Sequence, residues 1–220
     1  MHNNVNQLTD IQKEIQDKII DLNYNNYNPK IIAVTKTFGM DRILPLIKYG
    51  HKDFGENKVQ EALEKWTEVK KKNPDIKLHM IGNLQTNKVK YVIPLFDYIH
   101  SLDSIKLAEK IADQQIKFSK ELKIFIQINI GNEDQKGGIK VNDLETFYKK
   151  CVNNLNLNII GIMCIPPNEK SSLYFSSMKD LSIKYNFPEL SMGMSNDYLT
   201  ACEYKSTFLR IGTKIFGSRS

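Results

Sequence analysis

The feature of this sequence that most constrains its fold is a regular alternation of short apolar runs with longer segments of helical spacing. A helix opens the chain, with an apolar face made of Ile11, Ile15, Ile19 and Leu22. Later helices keep this spacing, as in Leu107, Ile111 and Ile116. Between the helices the sequence predicts strands over residues 31–35, 52–54, 78–81, 98–101, 124–130, 158–163, 190–192 and 208–211.

Eight parallel strands joined by crossover helices are most simply arranged as a closed barrel, which leaves no exposed sheet edge. The 220 residues suffice for one α/β barrel but would be cramped for two full domains. We therefore predict a single domain over residues 1–220, an α/β fold of the (β/α)8 TIM barrel type with an extra N-terminal helix. An open doubly wound sheet has the same local pattern and is the alternative.

Composition excludes several function classes. Hydrophobic residues make up 41% and charged residues 25% of the chain, and no apolar run approaches the roughly 20 residues that span a bilayer. The first residues lack the pattern of a secretory signal, so we predict a cytoplasmic location and no membrane partner. The net charge is +6, but the lysines are spread along the chain, which favours a solvated surface or an anionic ligand over nucleic acid.

The cysteines and histidines indicate neither a disulfide framework nor a metal site. The three cysteines are Cys151, Cys164 and Cys202, far apart and odd in number, so we expect reduced thiols. The histidines are His2, His51, His79 and His100, and they lack the i, i+4 spacing of a metalloprotease.

Lys36 is the first candidate functional residue, because it directly follows the apolar run of the first predicted strand. A lysine presented from rigid backbone on a desolvated stem can have its pKa lowered enough to act as a nucleophile. This is the setting of a lysine that forms a Schiff base. Most lysines at strand ends simply reach into water, so the interpretation depends on the neighbouring residues.

In such barrels the chemistry lies at the carboxyl ends of the strands, and almost every predicted strand delivers a small or hydrogen-bonding residue there. These residues are Lys36, Gly55 to Asn57, Gly82, Asn83, Gln85, Asn87, Ser101, Asn129, Cys164, Ser191 to Ser195 and Arg210 to Thr213. Any one of them is weak evidence, but their coincidence at one end of the barrel predicts a site.

The segments after the seventh and eighth strands predict a phosphate site, as is usual in these barrels. Gly212 allows close approach of the backbone to an anion, and Ser195 and Thr213 supply hydroxyl donors. Residues 217–218 add a further Gly-Ser pair. The alternatives are that Ser195 or Asn196 only caps the next helix, and that Gly212 only relieves a tight turn.

A nucleophilic lysine beside a phosphate site leaves two ligand classes, pyridoxal phosphate and a phosphosugar handled as in a Schiff-base aldolase. Arg210 favours the former, because a guanidinium beside the site could donate to a ring nitrogen, which a sugar lacks. The competing role for Arg210 is an ion pair with Glu56 or another acid.

Five segments carry a resemblance to a known family. They are AVTK at 33–36, FGENKVQE at 54–61, HMIGNLQTNK at 79–88, LSMGMSND at 190–197 and LRIGTKIFG at 209–217. In this order they resemble the signatures of the pyridoxal phosphate homeostasis protein family, the YggS/PROSC type, and they are spread over most of the chain, from residue 33 to residue 217.

The resemblance implies a barrel similar to the N-terminal domain of alanine racemase, with pyridoxal 5'-phosphate held as a Schiff base on Lys36. It further implies phosphate contacts from Ser195, Gly212 and Thr213, a ring-nitrogen contact from Arg210, and Asn57 in the cofactor site. Two residues depart from the family pattern, Cys164 where relatives often carry Ala or Thr, and Gly131 where Ser or Ala is common.

The resemblance also implies a carrier without an established reaction, rather than a catalyst. Racemisation requires proton donors on both faces of the substrate, and in alanine racemases the second is a tyrosine from a further domain, which we do not expect in a chain ending at Ser220. Arg210 at the ring nitrogen would also weaken the cofactor as an electron sink.

Three hypotheses therefore remain from the sequence. The leading one is a monomeric cofactor-binding homeostasis protein, with cofactor-dependent apoenzymes as candidate acceptors. The alternatives are a slow racemase or related enzyme, and a basic barrel that binds nucleic acid.

Overall fold

The computed structural model describes residues 3–133, 135–167 and 169–217, and its eight strands form a closed parallel barrel in the order of the chain. The strands are β1 Lys30–Val34, β2 Asp53–Glu56, β3 Lys77–Met80, β4 Tyr98–Leu102, β5 Lys123–Ile128, β6 Ile159–Cys164, β7 Glu189–Met194 and β8 Phe208–Ile211. Closure is completed by β8 and β1, which pair with Lys30 in register with Phe208. The predicted TIM barrel is confirmed, and the open sheet is wrong.

Helices cover the outside of the barrel. They are α1 Asn3–Asp21, α2 Met40–Tyr49, α3 Val59–Lys72, α4 Val89–Leu95, α5 Ile105–Phe118, α6 Leu144–Lys149, α7 Ser171–Lys184, α8 Tyr198–Glu203 and α9 Thr213–Phe216. The predicted opening helix is present as α1, whose face of Ile11, Ile15 and Ile19 is buried. Within the described ranges no helix is long and apolar enough to cross a membrane.

Strand residues alternate between two cores. Outward-facing apolar residues pack under the helices, while a smaller cluster fills the barrel interior: Ile32, Tyr98, Phe125, Met163 and Phe208. Two fully buried histidines join this interior. His79 stacks on Tyr98 with ring centroids 4.2 Å apart, and His100 stacks on Phe125 at 4.3 Å. The interior is therefore unusually aromatic and polar for a barrel, whose inner layers are mostly branched aliphatic residues.

Three details of the predicted elements differ in the structure. Ile116 lies in the last turn of α5 and is 79% exposed, because it follows Leu107 by nine positions and so faces the opposite side of the helix. Gln114 and Gln115 face inward in its place. The seventh strand, predicted over 190–192, runs from Glu189 to Met194, so Ser191 lies inside β7, fully buried, rather than at its carboxyl end. The loop after β5 begins at Asn129, since β5 ends at Ile128.

Candidate functional site

The predicted site residues follow four neighbouring strands of the barrel. Lys36 follows β1, Asn57 follows β2, Ser195 follows β7 and Gly212 follows β8. The sheet order places β7, β8, β1 and β2 side by side, with all strands parallel. These residues therefore share one sector of the end where the strands terminate, which we term the carboxyl rim.

Hydrogen bonds to residues of β2 and α3 fix the backbone on both sides of Lys36. The Thr35 amide donates to the Gly55 carbonyl at 3.0 Å, and the Thr35 hydroxyl donates to Glu56 Oε1 at 2.6 Å. The next residue, Thr37, has a positive φ of 69°, and its amide donates to Glu61 Oε1 at 2.5 Å. Lys36 is half-buried between these two anchored residues. The lysine thus projects from rigid backbone, as the nucleophile interpretation requires.

A second lysine, on α3, supports this segment. Lys65 Nζ donates to the Thr35 carbonyl at 2.8 Å and forms ion pairs with Glu56 at 2.6 Å and Glu61 at 2.9 Å. Glu56 is fully buried, and the Trp66 indole also donates to its Oε1, at 2.9 Å. Glu56 therefore pairs with Lys65 and not with Arg210. Nothing in the amino-acid sequence distinguishes Lys65 in this role from the other lysines and arginines, which number 31 in total.

Asn57 presents an unsatisfied acceptor at the carboxyl rim. Its Oδ1 is buried and has no hydrogen-bond partner among the described residues. The backbone at Gly82 packs so closely that a Cβ there would lie 2.3 Å from the Asn57 carbonyl oxygen, so Asn57 is held in place by the neighbouring loop. A second such group, Ser101 Oγ, lies at the end of β4. Buried polar atoms without partners are costly unless a ligand or water completes them.

The segments after β7 and β8 meet at Ser195. Its hydroxyl oxygen accepts hydrogen bonds from the backbone amides of Gly212 and Lys214, both at 3.3 Å. Backbone amides and a hydroxyl are the groups that phosphate sites use, so we term this group the anion cradle, although both amides donate to the Ser195 oxygen here. Thr213 is the exposed residue between Gly212 and Lys214. Ser218 lies outside the described residues.

The structure does not give Ser195 or Asn196 the helix-capping role that was the alternative. The N-cap of α8 is Asp197, whose carboxylate accepts from the Met194 amide at 2.6 Å, so neither Ser195 nor Asn196 caps that helix. Gly193 has a φ of 90°, and a Cβ there would lie 2.6 Å from the Cβ of Ala201. The glycine therefore lets the end of β7 pass close to α8.

Arg210 lies inside the barrel, buried to 4% exposure, one residue before the end of β8. Its Nη1 donates to Ser191 Oγ at 2.6 Å, and its Nη2 donates to the Cys164 carbonyl at 2.8 Å. Burial lowers the pKa of the guanidinium from its ordinary value by disfavouring the charge. Two of five N–H groups are used in these bonds, which leaves donors for a ligand.

Two residues of the site wall depart from the resembled family. Cys164 is fully buried, and burial raises the pKa of its thiol to about 12. Gly131 packs against Pro167, with 2.7 Å between a Cβ placed there and Pro167 Cγ.

The neighbouring Asn129 side chain donates to the Glu133 carbonyl at 2.8 Å and so closes the loop after β5. All three cysteines of the chain are buried and unbridged.

Comparison with known proteins agrees with this geometry. The family model of the alanine racemase N-terminal domain matches residues 15–220. The pyridoxal phosphate homeostasis protein of Pasteurella multocida (strain Pm70) is 37% identical over 223 residues, covering 96% of each chain. An unknown protein from Bifidobacterium adolescentis superposes with a TM-score of 0.88 at 26% identity, over 97% of this chain and 94% of that chain. PipY of Synechococcus elongatus PCC7942, solved with PLP bound, superposes with a TM-score of 0.78 at 29% identity. The superposition covers 92% of this chain and 100% of PipY.

Proposed function

The chain belongs to the pyridoxal phosphate homeostasis protein family, and we propose that it binds pyridoxal 5'-phosphate covalently through Lys36 and holds the cofactor without a catalytic reaction of its own. The observation that carries this proposal is the placement of an anchored lysine after β1, beside an anion cradle that follows β7 and β8. The relative PipY has been solved with PLP bound, which supports the choice of ligand.

The residues of the carboxyl rim fit this cofactor. When bound, pyridoxal phosphate supplies an aldehyde that condenses with a lysine amine, together with a phosphate and a ring nitrogen. Lys36 would hold the aldehyde carbon, and Ser195 with the amides of Gly212 and Lys214 would hold the phosphate. Thr213 would add a hydroxyl, since it is exposed next to the cradle.

Two further residues would complete the cofactor contacts. The remaining N–H groups of Arg210 would donate to the ring nitrogen. The buried Asn57 Oδ1, which lacks a partner among the described residues, would accept a hydrogen bond from the bound molecule or from a water beside it.

Arg210 also supports a carrier rather than a racemase. A guanidinium can only donate, so a ring nitrogen that accepts from Arg210 would not readily carry a proton, and an unprotonated ring withdraws electrons poorly. Arg210 is held in its place by Ser191 and the Cys164 carbonyl. Carbanion chemistry on this scaffold should therefore be slow.

The wider role follows from cofactor holding. We propose that the barrel of residues 1–220 works as a monomer in the cytoplasm, buffers pyridoxal phosphate and passes it to apoenzymes that depend on it. The relatives are named as homeostasis proteins, which supports this role over that of an enzyme. The buried, unbridged thiols also suit a reducing compartment.

An absorbance titration tests the proposal. Adding pyridoxal phosphate to the purified chain should produce a long-wavelength Schiff-base band, which Lys36→Ala abolishes. Lys58→Ala, a change at an exposed lysine on the same rim, is the matched control and should leave the band intact. A band that persists in Lys36→Ala contradicts the role of Lys36. Rapid solvent-deuterium exchange at the α-carbon of an amino acid by the loaded protein would favour the racemase alternative.

A further inference from the structure

An uninterrupted chain of hydrogen bonds crosses the barrel interior from Arg210 to the opposite end. Arg210 Nη1 binds Ser191 Oγ at 2.6 Å, and Ser191 Oγ binds His100 Nδ1 at 2.8 Å. His100 Nε2 binds His79 Nδ1 at 3.0 Å, and His79 Nε2 binds Asp53 Oδ1 at 3.1 Å. We term these five residues the Asp53–Arg210 relay. They come from β2, β3, β4, β7 and β8, and the step from His100 to Ser191 spans strands that are not neighbours.

The two ends of the relay lie at opposite ends of the barrel. Arg210 lies near the carboxyl rim, one residue before the end of β8. Asp53 is the first residue of β2, and its side chain is 21% exposed. Asp53 lines a cavity of about 510 Å³ at the amino ends of the strands, together with Lys30 and residues of α1. The carboxylate is therefore reachable from solvent, while the three middle residues are buried.

Every bond of the relay has one consistent direction. Arg210 can only donate, so Ser191 Oγ accepts from it and is left to donate its own proton to His100 Nδ1. His100 then carries its proton on Nε2 and donates to His79 Nδ1. By the same logic His79 carries its proton on Nε2 and donates to the Asp53 carboxylate. Both histidines are neutral in this arrangement, with the same tautomer.

The surroundings support this assignment. Burial lowers the pKa of His79 and lowers that of His100 well below its ordinary value, so both rings stay neutral near pH 7. The Asp53 pKa is also lowered: burial acts to raise it, but the hydrogen bond from His79 and the nearby positive charge of Lys30 act in the opposite direction and prevail. Stacking on Tyr98 and Phe125 prevents the rings from turning away.

We propose that the Asp53–Arg210 relay is a positioning device, which holds the Arg210 guanidinium in one orientation for the cofactor through a line of acceptors that ends at Asp53 Oδ1. Hydrogen bonds that point in one direction polarise one another, and a buried charge is costly unless its bonds are satisfied. This inference rests on the proposed function, because Arg210 is useful in this way only if a ring nitrogen lies beside it.

The first test uses the protein without cofactor. Nitrogen-15 NMR of labelled histidines should show His79 and His100 as neutral rings protonated on Nε2. Ser191→Ala removes the donor to His100 Nδ1, so this variant should shift the tautomer populations of His100 and, through it, of His79. An Nδ1-protonated ring at either position in the unaltered protein would overturn the relay.

The second test is made at the far end, where a substitution touches neither the cofactor nor the buried core. Asp53→Ala should shift the absorbance spectrum of bound pyridoxal phosphate and weaken its affinity by at most about tenfold, because the loss of one charged hydrogen bond three links from Arg210 sets the upper limit. Asp53→Asn should restore both, because an amide oxygen still accepts from His79 Nε2. Asp75→Ala is the control, since Asp75 is an exposed carboxylate paired with Lys52 near the same end.

The outcomes separate the two proposals. No cofactor spectrum in the unaltered protein would refute the proposed function, while the tautomers in the cofactor-free protein would still decide whether the hydrogen-bond chain exists. A normal spectrum that is the same in the unaltered protein, Asp53→Ala and Asp75→Ala would overturn the relay alone. A spectral change in Asp53→Ala that Asp53→Asn fails to rescue would also contradict it, because a lost acceptor could then not be the cause.

Discussion

Replacing Lys65 by Met should destabilise the protein strongly, because Lys65 neutralises a carboxylate that has no access to solvent. Glu56 is fully buried, the Lys65 side chain is 11% exposed, and the two charged groups lie 2.6 Å apart. In Lys65→Met, Glu56 would keep only the neutral donors of Thr35 and Trp66. Removing one partner of a buried ion pair costs about 3–5 kcal/mol, a large part of a typical free energy of unfolding.

Urea unfolding measures this loss directly. With a slope of about 2 kcal/mol per molar urea, the expected loss lowers the midpoint by about 1.5–2.5 M. The same substitution removes the donor to the Thr35 carbonyl, so the affinity for pyridoxal phosphate at the adjacent Lys36 should fall as well. Lys149→Met is the matched control, because Lys149 pairs with Glu145 on an exposed helix face and its loss should leave the midpoint nearly unchanged.

A double-mutant cycle shows whether the loss comes from the stranded carboxylate. Glu56→Gln keeps the acceptor for Thr35 and Trp66 but removes the charge, so the double variant should be less destabilised than the sum of the two single variants. A loss below about 1 kcal/mol in Lys65→Met, or additive losses in the cycle, would refute the reasoning.

Three further predictions concern stability and reactivity. The pKa values of His79 and His100 are lowered in the folded state, so the unfolded chain binds more protons than the folded one at acidic pH. The free energy of unfolding should therefore fall as the pH drops below about 6.5, by up to about 1.4 kcal/mol per pH unit for each histidine. Urea unfolding at several pH values checks this, and a flat profile there would contradict it. Gly193→Ala should lower the free energy of unfolding by about 2–4 kcal/mol, because a Cβ there adds both backbone strain and overpacking. Gly50 also has a positive φ but has open space around it, so Gly50→Ala should cost only the strain. Equal losses of the two variants in urea unfolding would refute the packing argument. Cys164 should resist thiol reagents in the native protein near pH 7, because burial raises its pKa to about 12, and its modification before unfolding, seen by mass spectrometry, would be inconsistent with the structure.

The barrel could be predicted from the sequence because its determinants are local. Most strands contain a short apolar run and the helices between them repeat their buried positions, so this alternation placed all eight strands. The ends of elements were less predictable. Ile116 is apolar but lies on the opposite side of α5 from Leu107, so its residue type did not show which side of the helix is buried. Ser191 was placed at the end of β7 because the strand's continuation through Gly193 does not look apolar.

The site was predictable in its strand-end residues and not in their supports. Lys36 and Ser195 follow strands directly, so strand order brings them together. Lys65 lies thirty positions from the carbonyl it binds, and nothing in its surroundings on α3 distinguishes it from a surface lysine. His79 and His100 could be assigned to strands, but only the folded barrel shows that their ring nitrogens face each other.

The covalent bond to Lys36 is the central claim, and borohydride reduction followed by peptide mass mapping tests it most directly. Reduction of the protein loaded with pyridoxal phosphate should fix the cofactor on the peptide that contains Lys36, and on no other peptide in proportion to binding. A reduced, loaded protein in which the Lys36 peptide has its unmodified mass would contradict the account.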